Sequence, residues 1–216
     1  MTFTATDMNG NADSCTATVT VLDTTMPEIS CPQDVTVECT ATGGTPPGDP
    51  QLADFFAGVD STDICDAGPV ITNDAPTLFT LQDTDVLFTS TDVSGNSNSC
   101  MAAVTVVDTT MPEIECNSPA TVTPPDAPIS FTATAPDVCD DSIAPQITGY
   151  DCFKFTRKGK RVDKTDSCVV EFSGDTVTIS DSGGVGDNIT WDITATDDSG
   201  NTATKTCHVE VANPGQ

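Results

Sequence analysis

Two side-chain types in this sequence occur in numbers and spacings that could do chemistry: carboxylates and cysteines. Asp23, Glu28, Asp63, Asp66, Asp92 and Asn96 sit in short phrases that return later as Asp108, Glu113, Asp137, Asp140, Asp197 and Asn201. Hard cations such as Ca2+ take about six to eight oxygen ligands, and crowded carboxylates that repel one another are stabilised by such an ion. The two sets are therefore the candidate Ca2+ sites. EF-hand and RTX-type spacings are absent, and the competing reading is that each Asp caps its own turn. The chain requires no cofactor on either reading; Ca2+ is the one ion it would hold.

The sequence holds ten cysteines, no Cys-x-x-Cys pair and a single histidine, His208. That combination argues against zinc and for a disulfide framework in an oxidising, extracellular compartment. Cys31, Cys39, Cys65 and Cys100 fall in one stretch, and Cys116, Cys139, Cys152, Cys168 and Cys207 in the next. Four cysteines allow three connectivities and the sequence does not choose among them; Cys31–Cys100 with Cys39–Cys65 is favoured. If Cys152 pairs with Cys168, one cysteine of the second stretch has no local partner. Cys15 lacks one too, which fits an intermolecular head-to-tail bond, a piece of a longer array, or a free thiol.

The chain carries 33 acidic residues against seven basic ones, a net charge of −26. This argues against nucleic acid and anionic membranes as partners, and no apolar run is long enough for membrane insertion. Six of the seven basic residues crowd into "DCFKFTRKGKRVDKTDSC": Lys154, Arg157, Lys158, Lys160, Arg161 and Lys164. The stretch reads as an inserted hairpin, 152–168, clamped by Cys152 and Cys168 and docking on an acidic protein surface or an anionic glycan. A merely solvated ribbon is the alternative. Catalysis is not expected. His208 lies in a strand pattern, no Ser-His-Asp set has an independent base, and the glycine-rich "SDSGGVGDN" neither follows a nucleotide-fold strand nor opens a helix. Asn188-Ile189-Thr190 is an N-glycosylation sequon if the source is a eukaryote.

The elements that must position these groups are strands. Val, Ile, Thr and Phe alternate in short runs punctuated by Gly, Pro, Asn and Asp, without helical period. "TFTATDMNGNADSCTATVTVLD" (Thr2 to Asp23) returns as "LFTSTDVSGNSNSCMAAVTVVD" (Leu87 to Asp108) and more loosely as "DITATDDSGNTATKTCHVEVAN" (Asp192 to Asn213). Each reads as strand, tight turn, strand, with Asp7, Asp92 and Asp197 capping the turn and Gly10, Gly95 and Gly200 taking its left-handed position. The phrase "DTTMPE" follows each of the first two, where Pro27 and Pro112 stiffen the crossing and bar ladder bonding. Units of about 100 residues with this pattern predict antiparallel two-sheet sandwiches.

The phrases "DTTMPEISCP", "DVTVECT", "STDICD" and "FTATDMNGNADSCTATVTV" resemble the hyalin repeat (HYR), across nearly all of residues 1–116 and more weakly over 117–216. The resemblance implies tandem Ig-like sandwiches in an elongated array, secreted or on a cell surface, with an adhesive or structural role and no catalysis. The expected domains are 1–22, the last two strands of an incomplete domain; 23–107, an HYR-type domain; and 108–216, a divergent domain with the basic insertion. Strands 1–22 should be completed either by further sequence or by a neighbouring chain. Self-association and neighbouring repeats are the expected partners. Two alternatives stand beside this: a spacer or binding module of a larger secreted enzyme, and a filament subunit sharing its N-terminal strands.

Overall fold

The computed structural model describes residues 1–123 and 128–213; positions 124–127 and 214–216 of the expected last domain lie outside them. β-Branched and aromatic residues in period-two runs make strands the main element in both halves. The first half contains β1 (Thr2–Thr6), β2 (Ala12–Thr16), β3 (Glu28–Ser30), β4 (Val35–Glu38), β5 (Gly44–Thr45), β6 (Asp60–Thr62), β7 (Val70–Asn73), β8 (Phe79–Thr80), β9 (Asp83–Thr91) and β10 (Ser97–Val107). The second half contains β11 (Thr121–Val122), β12 (Ile129–Thr132), β13 (Gln146–Phe155), β14 (Arg161–Asp163), β15 (Val169–Ser173), β16 (Thr176–Asp181), β17 (Asp187–Thr196) and β18 (Thr202–Val211). The one α-helix among the described residues, α1 (Ala53–Ala57), has five residues. The fold class is all-β, as the alternating runs predict.

The chain forms two compact units. The first comprises Met1–Asp34, Asp54–Ala75 and Asp85–Ala103. In it β1 and β2 make an antiparallel hairpin with Thr4 opposite Ser14, β3 pairs with β6, and β7 with β9. Along β9, Val86, Phe88 and Ser90 are fully buried on one face, the period of a half-buried strand. The Phe88 ring lies 5.7 Å from Phe55 and 6.4 Å from Phe56. Burying a ring of that size contributes roughly 2–3 kcal/mol.

The second unit comprises Val35–Ala53, Pro76–Thr84 and Val104–Gln216. Here the end of β10, Val104–Val107, pairs in parallel with Val35–Glu38 of β4, and β5 pairs with β8. Further on, a five-stranded sheet of order β11-β18-β17-β13-β14 and a three-stranded sheet of order β12-β16-β15 form a sandwich. β11 joins β18 in parallel, repeating the relation of β4 to β10. Trp191 stacks on Phe131 at 5.9 Å between the sheets, among fully buried Val177, Ile179, Ile189, Ile193 and Val209. Alternate residues of β17, Ile189, Trp191, Ile193 and Ala195, face that core, so the strand's sequence period decides which side chains reach it.

Candidate functional site

The three turns of the repeated phrase are built alike. Each Asp carboxylate accepts the backbone N–H of the Asn four residues on, at 2.8 Å for Asp7–Asn11, Asp92–Asn96 and Asp197–Asn201. It also accepts that Asn's side-chain amide, at 2.8, 2.7 and 2.9 Å. Gly10, Gly95 and Gly200 take φ of +87°, +90° and +92°, which only glycine adopts without strain. Burial works against it, yet the donors from Asn96, Ser94 and Gly95 hold the Asp92 carboxyl below its ordinary range. The Asn11 amide and the turn N–H groups do the same for Asp7.

In the later two turns the asparagine has a second task. Asn96 Nδ2 donates to the carbonyl of Asp23 at 3.4 Å, and Asn201 Nδ2 to that of Asp108 at 3.1 Å. The turn therefore grips the acid that opens the DTTMPE phrase. Asp66 and Asp140 brace the same turn from the loop beside it, accepting from Val93 N at 2.9 Å and Asp198 N at 3.2 Å. At the second phrase, Thr109 adds bonds from its N–H and hydroxyl to the Glu38 carboxylate, at 2.6 and 3.0 Å.

Within each expected carboxylate set, two acids draw up beside a sulfur. Asp23 and Asp63 come together with the Cys65 sulfur, their ligand atoms within 4.8 Å of one another, and Asp108, Asp137 and Cys139 form the matching trio. Asp92, Asn96, Asp197 and Asn201 are occupied with their own turns, and Asp66 and Asp140 with bracing them. Glu28 lies in β3 opposite Thr62 and lines a cleft with Thr25 and Asp63. Glu113 is exposed and bonds through its N–H to Pro136 O. Asp23 spends one carboxylate oxygen on Thr25 N and Asp63 one on the N–H groups of Cys65 and Asp66. The other oxygen of each is buried without a hydrogen-bond partner. In the second trio the corresponding Asp137 oxygen accepts the Thr110 hydroxyl at 3.4 Å. Desolvation, then the Asp23 and Asp63 charges, push the Cys65 thiol up.

Four disulfides staple the chain: Cys31–Cys100, Cys39–Cys139, Cys116–Cys207 and Cys152–Cys168. The favoured Cys39–Cys65 bond is not formed. Cys39 follows β4, where its N–H bonds Val107 O and the adjoining Gly43 N–H bonds Cys139 O at 2.8 Å, so the Cys139 loop is the one within reach. Cys65 and Cys15 are free and exposed. The signal for the missed bond was arithmetic: five cysteines in the last stretch leave one that must look outside it.

The basic insertion is a hairpin of β13 and β14 closed by Cys152–Cys168. Two of its cations are paired with acids. Lys154 Nζ stands 3.5 Å from Asp187, a carboxylate that is almost fully buried, and Arg161 pairs with Asp151 while lying 4.2 Å over the Phe153 ring. Lys164 is half-buried, and Arg157, Lys158 and Lys160 are exposed at the turn. The glycine-rich stretch wraps Asp187: Gly184 N–H donates to its Oδ2 at 2.9 Å, and a Cβ on Gly183 would sit 2.6 Å from that oxygen. Its glycines serve a buried acid, not a phosphate. Asn188 of the sequon lies in β17, its amide nitrogen donating to Gly186 O at 3.3 Å and its oxygen 2.8 Å from His208 Nε2. Among the described residues no helix is long and apolar enough to cross a membrane.

The HYR domain family matches residues 22–106. Among solved structures, the chain is similar to protocadherin gamma B2 extracellular cadherin domains 3–6, at 15% identity over 98% of this chain and 56% of that one, with a TM-score of 0.38. Drosophila N-cadherin EC1-4 gives 15% identity over 87% and 50%, with a TM-score of 0.31. The human desmocollin-1 ectodomain gives 14% identity over 95% and 41%, with a TM-score of 0.33. The chain thus spans little more than half the length of these proteins, or less.

Proposed function

We propose that the HYR domain at 22–106 is one link of an extracellular structural or adhesive array, preceded by the strands at 1–22 and followed by the sandwich at 108–216, and that its task is to carry tension. The observation that supports this is the placement of two disulfides. Cys31 lies just past β3 and Cys100 in β10; Cys116 lies just before β11 and Cys207 in β18. Tension arriving along one strand crosses the sulfur bridge and leaves along the other, so the loops of 69 and 91 residues between the paired cysteines stay out of the path. At about 3.4 Å per extended residue, those loops hold on the order of 500 Å of chain that unfolding cannot release.

A Ca2+ ion between Asp23 and Asp63 would stiffen the first junction, taking up the two buried carboxylate oxygens that have no hydrogen-bond partner. Docking falls to Arg157, Lys158 and Lys160, the exposed cations that no carboxylate of the hairpin engages, against an acidic surface such as a neighbouring repeat presents. Single-molecule stretching from the two termini tests the main reading. The oxidised chain should lengthen by the terminal segments and the short stretch between Cys100 and Cys116, and a reductant should release the remainder. Full-length extension of the oxidised chain would sink the idea. Ca2+ should raise the melting midpoint over that in chelator; equal midpoints remove the ion and leave the mechanical reading standing.

A further inference from the structure

We propose that Cys15 and Cys65 are the receiving thiols for two disulfides from a neighbouring module of the same kind, one whose first strands carry two cysteines eight positions apart as Cys31 and Cys39 do here. This rests on the reading of the chain as part of a tandem array.

Three observations carry it. Cys15 stands eight positions after its turn Asp, as Cys100 does, with Cys207 ten after its own in the looser third copy, and both of those are bonded to a cysteine near the start of their own domain, Cys31 and Cys116. Cys65, in "STDICD", holds the place of Cys139 in "APDVCDD", and Cys139 is bonded to Cys39, a cysteine of the preceding domain. The surroundings match as well as the sequence: each sulfur stands beside the same two carboxylates, Asp23 and Asp63 or Asp108 and Asp137. Finally, Asn11 bonds its own Asp7 as Asn96 and Asn201 bond theirs, but those two also hold the carbonyl of an incoming Asp, a grip that a module seated against the hairpin would complete. Of the ten cysteines, then, the two that are free are the two whose counterparts, Cys100 and Cys139, are bonded to Cys31 and Cys39, positions with no equivalent among residues 1–22.

A second copy of this chain does not fit as the occupant, because its Cys31 and Cys39 are already bonded. The chemistry is thiol–disulfide exchange. A small-molecule disulfide, or the disulfide of an oxidoreductase, is attacked by one thiolate and gives a mixed disulfide. The second cysteine displaces the remaining carrier thiol, so two protein thiols and one carrier disulfide become one protein disulfide and two carrier thiols.

The test extends the chain. Asp23 and Asp108 are 85 positions apart, so a second copy of residues 23–85 joined ahead of Met1 continues that spacing. Alkylation with iodoacetamide and mass spectrometry should find two reactive thiols in the original chain and one, the copied Cys65, in the extended one. Peptide mapping should join Cys15 to the copied Cys31 and Cys65 to the copied Cys39. Cys65→Ser in the extended chain should free the copied Cys39 and leave the Cys15 bond intact. A Cys65 that is still alkylated while Cys15 has bonded overturns the assignment, with that bond as proof that the added module has folded. So does an original chain that runs as a Cys65-linked dimer without reductant. An added segment that stays unfolded, with neither bond made, overturns the tandem reading itself.

Discussion

The hairpin at the start of the chain and the hairpin of β9 and β10 are written in nearly the same residues and end in different states. Phe3 is 57% exposed where Phe88 is 1%, and Val19 is 67% exposed where Val104 is 0%. β2 stops at Thr16, whereas β10 runs on to Val107. The turns do not differ: Asp7 with Asn11 and Asp92 with Asn96 make the same bonds at nearly the same lengths. What differs is company. The end of β10 has β4 beside it in parallel register, and Phe88 has Phe55 and Phe56. Turn chemistry is local and comes with the sequence; strand length and burial come from the partner.

Three substitution pairs would break or sharpen this contrast. Phe88→Ala should cost about 3–5 kcal/mol in urea denaturation, and Phe3→Ala less than about 0.5, because only the first opens a cavity. Equal effects would mean that the first hairpin is packed in solution. Next, Cys139→Ser should lower stability by about 2–4 kcal/mol by freeing a loop of 100 residues, while Cys65→Ser should leave the midpoint where it was. The smallest effect belongs to the turns. Asn96→Ala should cost about 1 kcal/mol, and Asn11→Ala should leave the global transition unmoved. The sign in pH is fixed by Asp92, whose folded pKa is lowered. Its contribution is present above the ordinary carboxylate range and is lost as pH falls through the lowered value. Asn96→Ala should therefore remove part of the acid-side loss of stability, and urea midpoints across the acid range read this directly.

Strand identity, turn chemistry and fold class were legible because each is written in neighbouring residues. Period-two runs gave β9, β10, β17 and β18, and the TDxxGN phrase gave the Asp cap and the left-handed Gly of each turn, though not the Asn amide that closes on the Asp. The sites were less so. The two carboxylate sets were expected as whole ligand shells; Asp23 with Asp63 and Asp108 with Asp137 bring ligand atoms within 4.8 Å of one another. Asn96 and Asn201 meet them through hydrogen bonds of the turns, which Asp66 and Asp140 brace. Asp92 and Asp197 sit at positions where the backbone claims their oxygens first, and spacing in sequence does not reveal a prior claim. The basic hairpin was legible as a charge run but not as a divided one. Lys154 is drawn to Asp187, a buried acid distant in sequence that begins β17. The pairing of Cys39 was hidden for the same reason: its partner lies 100 positions away, in a region that repeats the sequence of the wrong candidate.

The bond between Cys39 and Cys139 has a consequence for survival among proteases. The DTTMPE stretch at 108–113 belongs to no strand or helix and has Met111 in solvent, and an enzyme looking for a place to cut would find it. It lies outside the loop closed by Cys31–Cys100 and outside the one closed by Cys116–Cys207, but inside the one closed by Cys39–Cys139. The three loops overlap, so every peptide bond from Cys31 to Cys207 is spanned by at least one sulfur bridge. A single nick anywhere in that span leaves one covalent molecule, and the chain is severed only after a second.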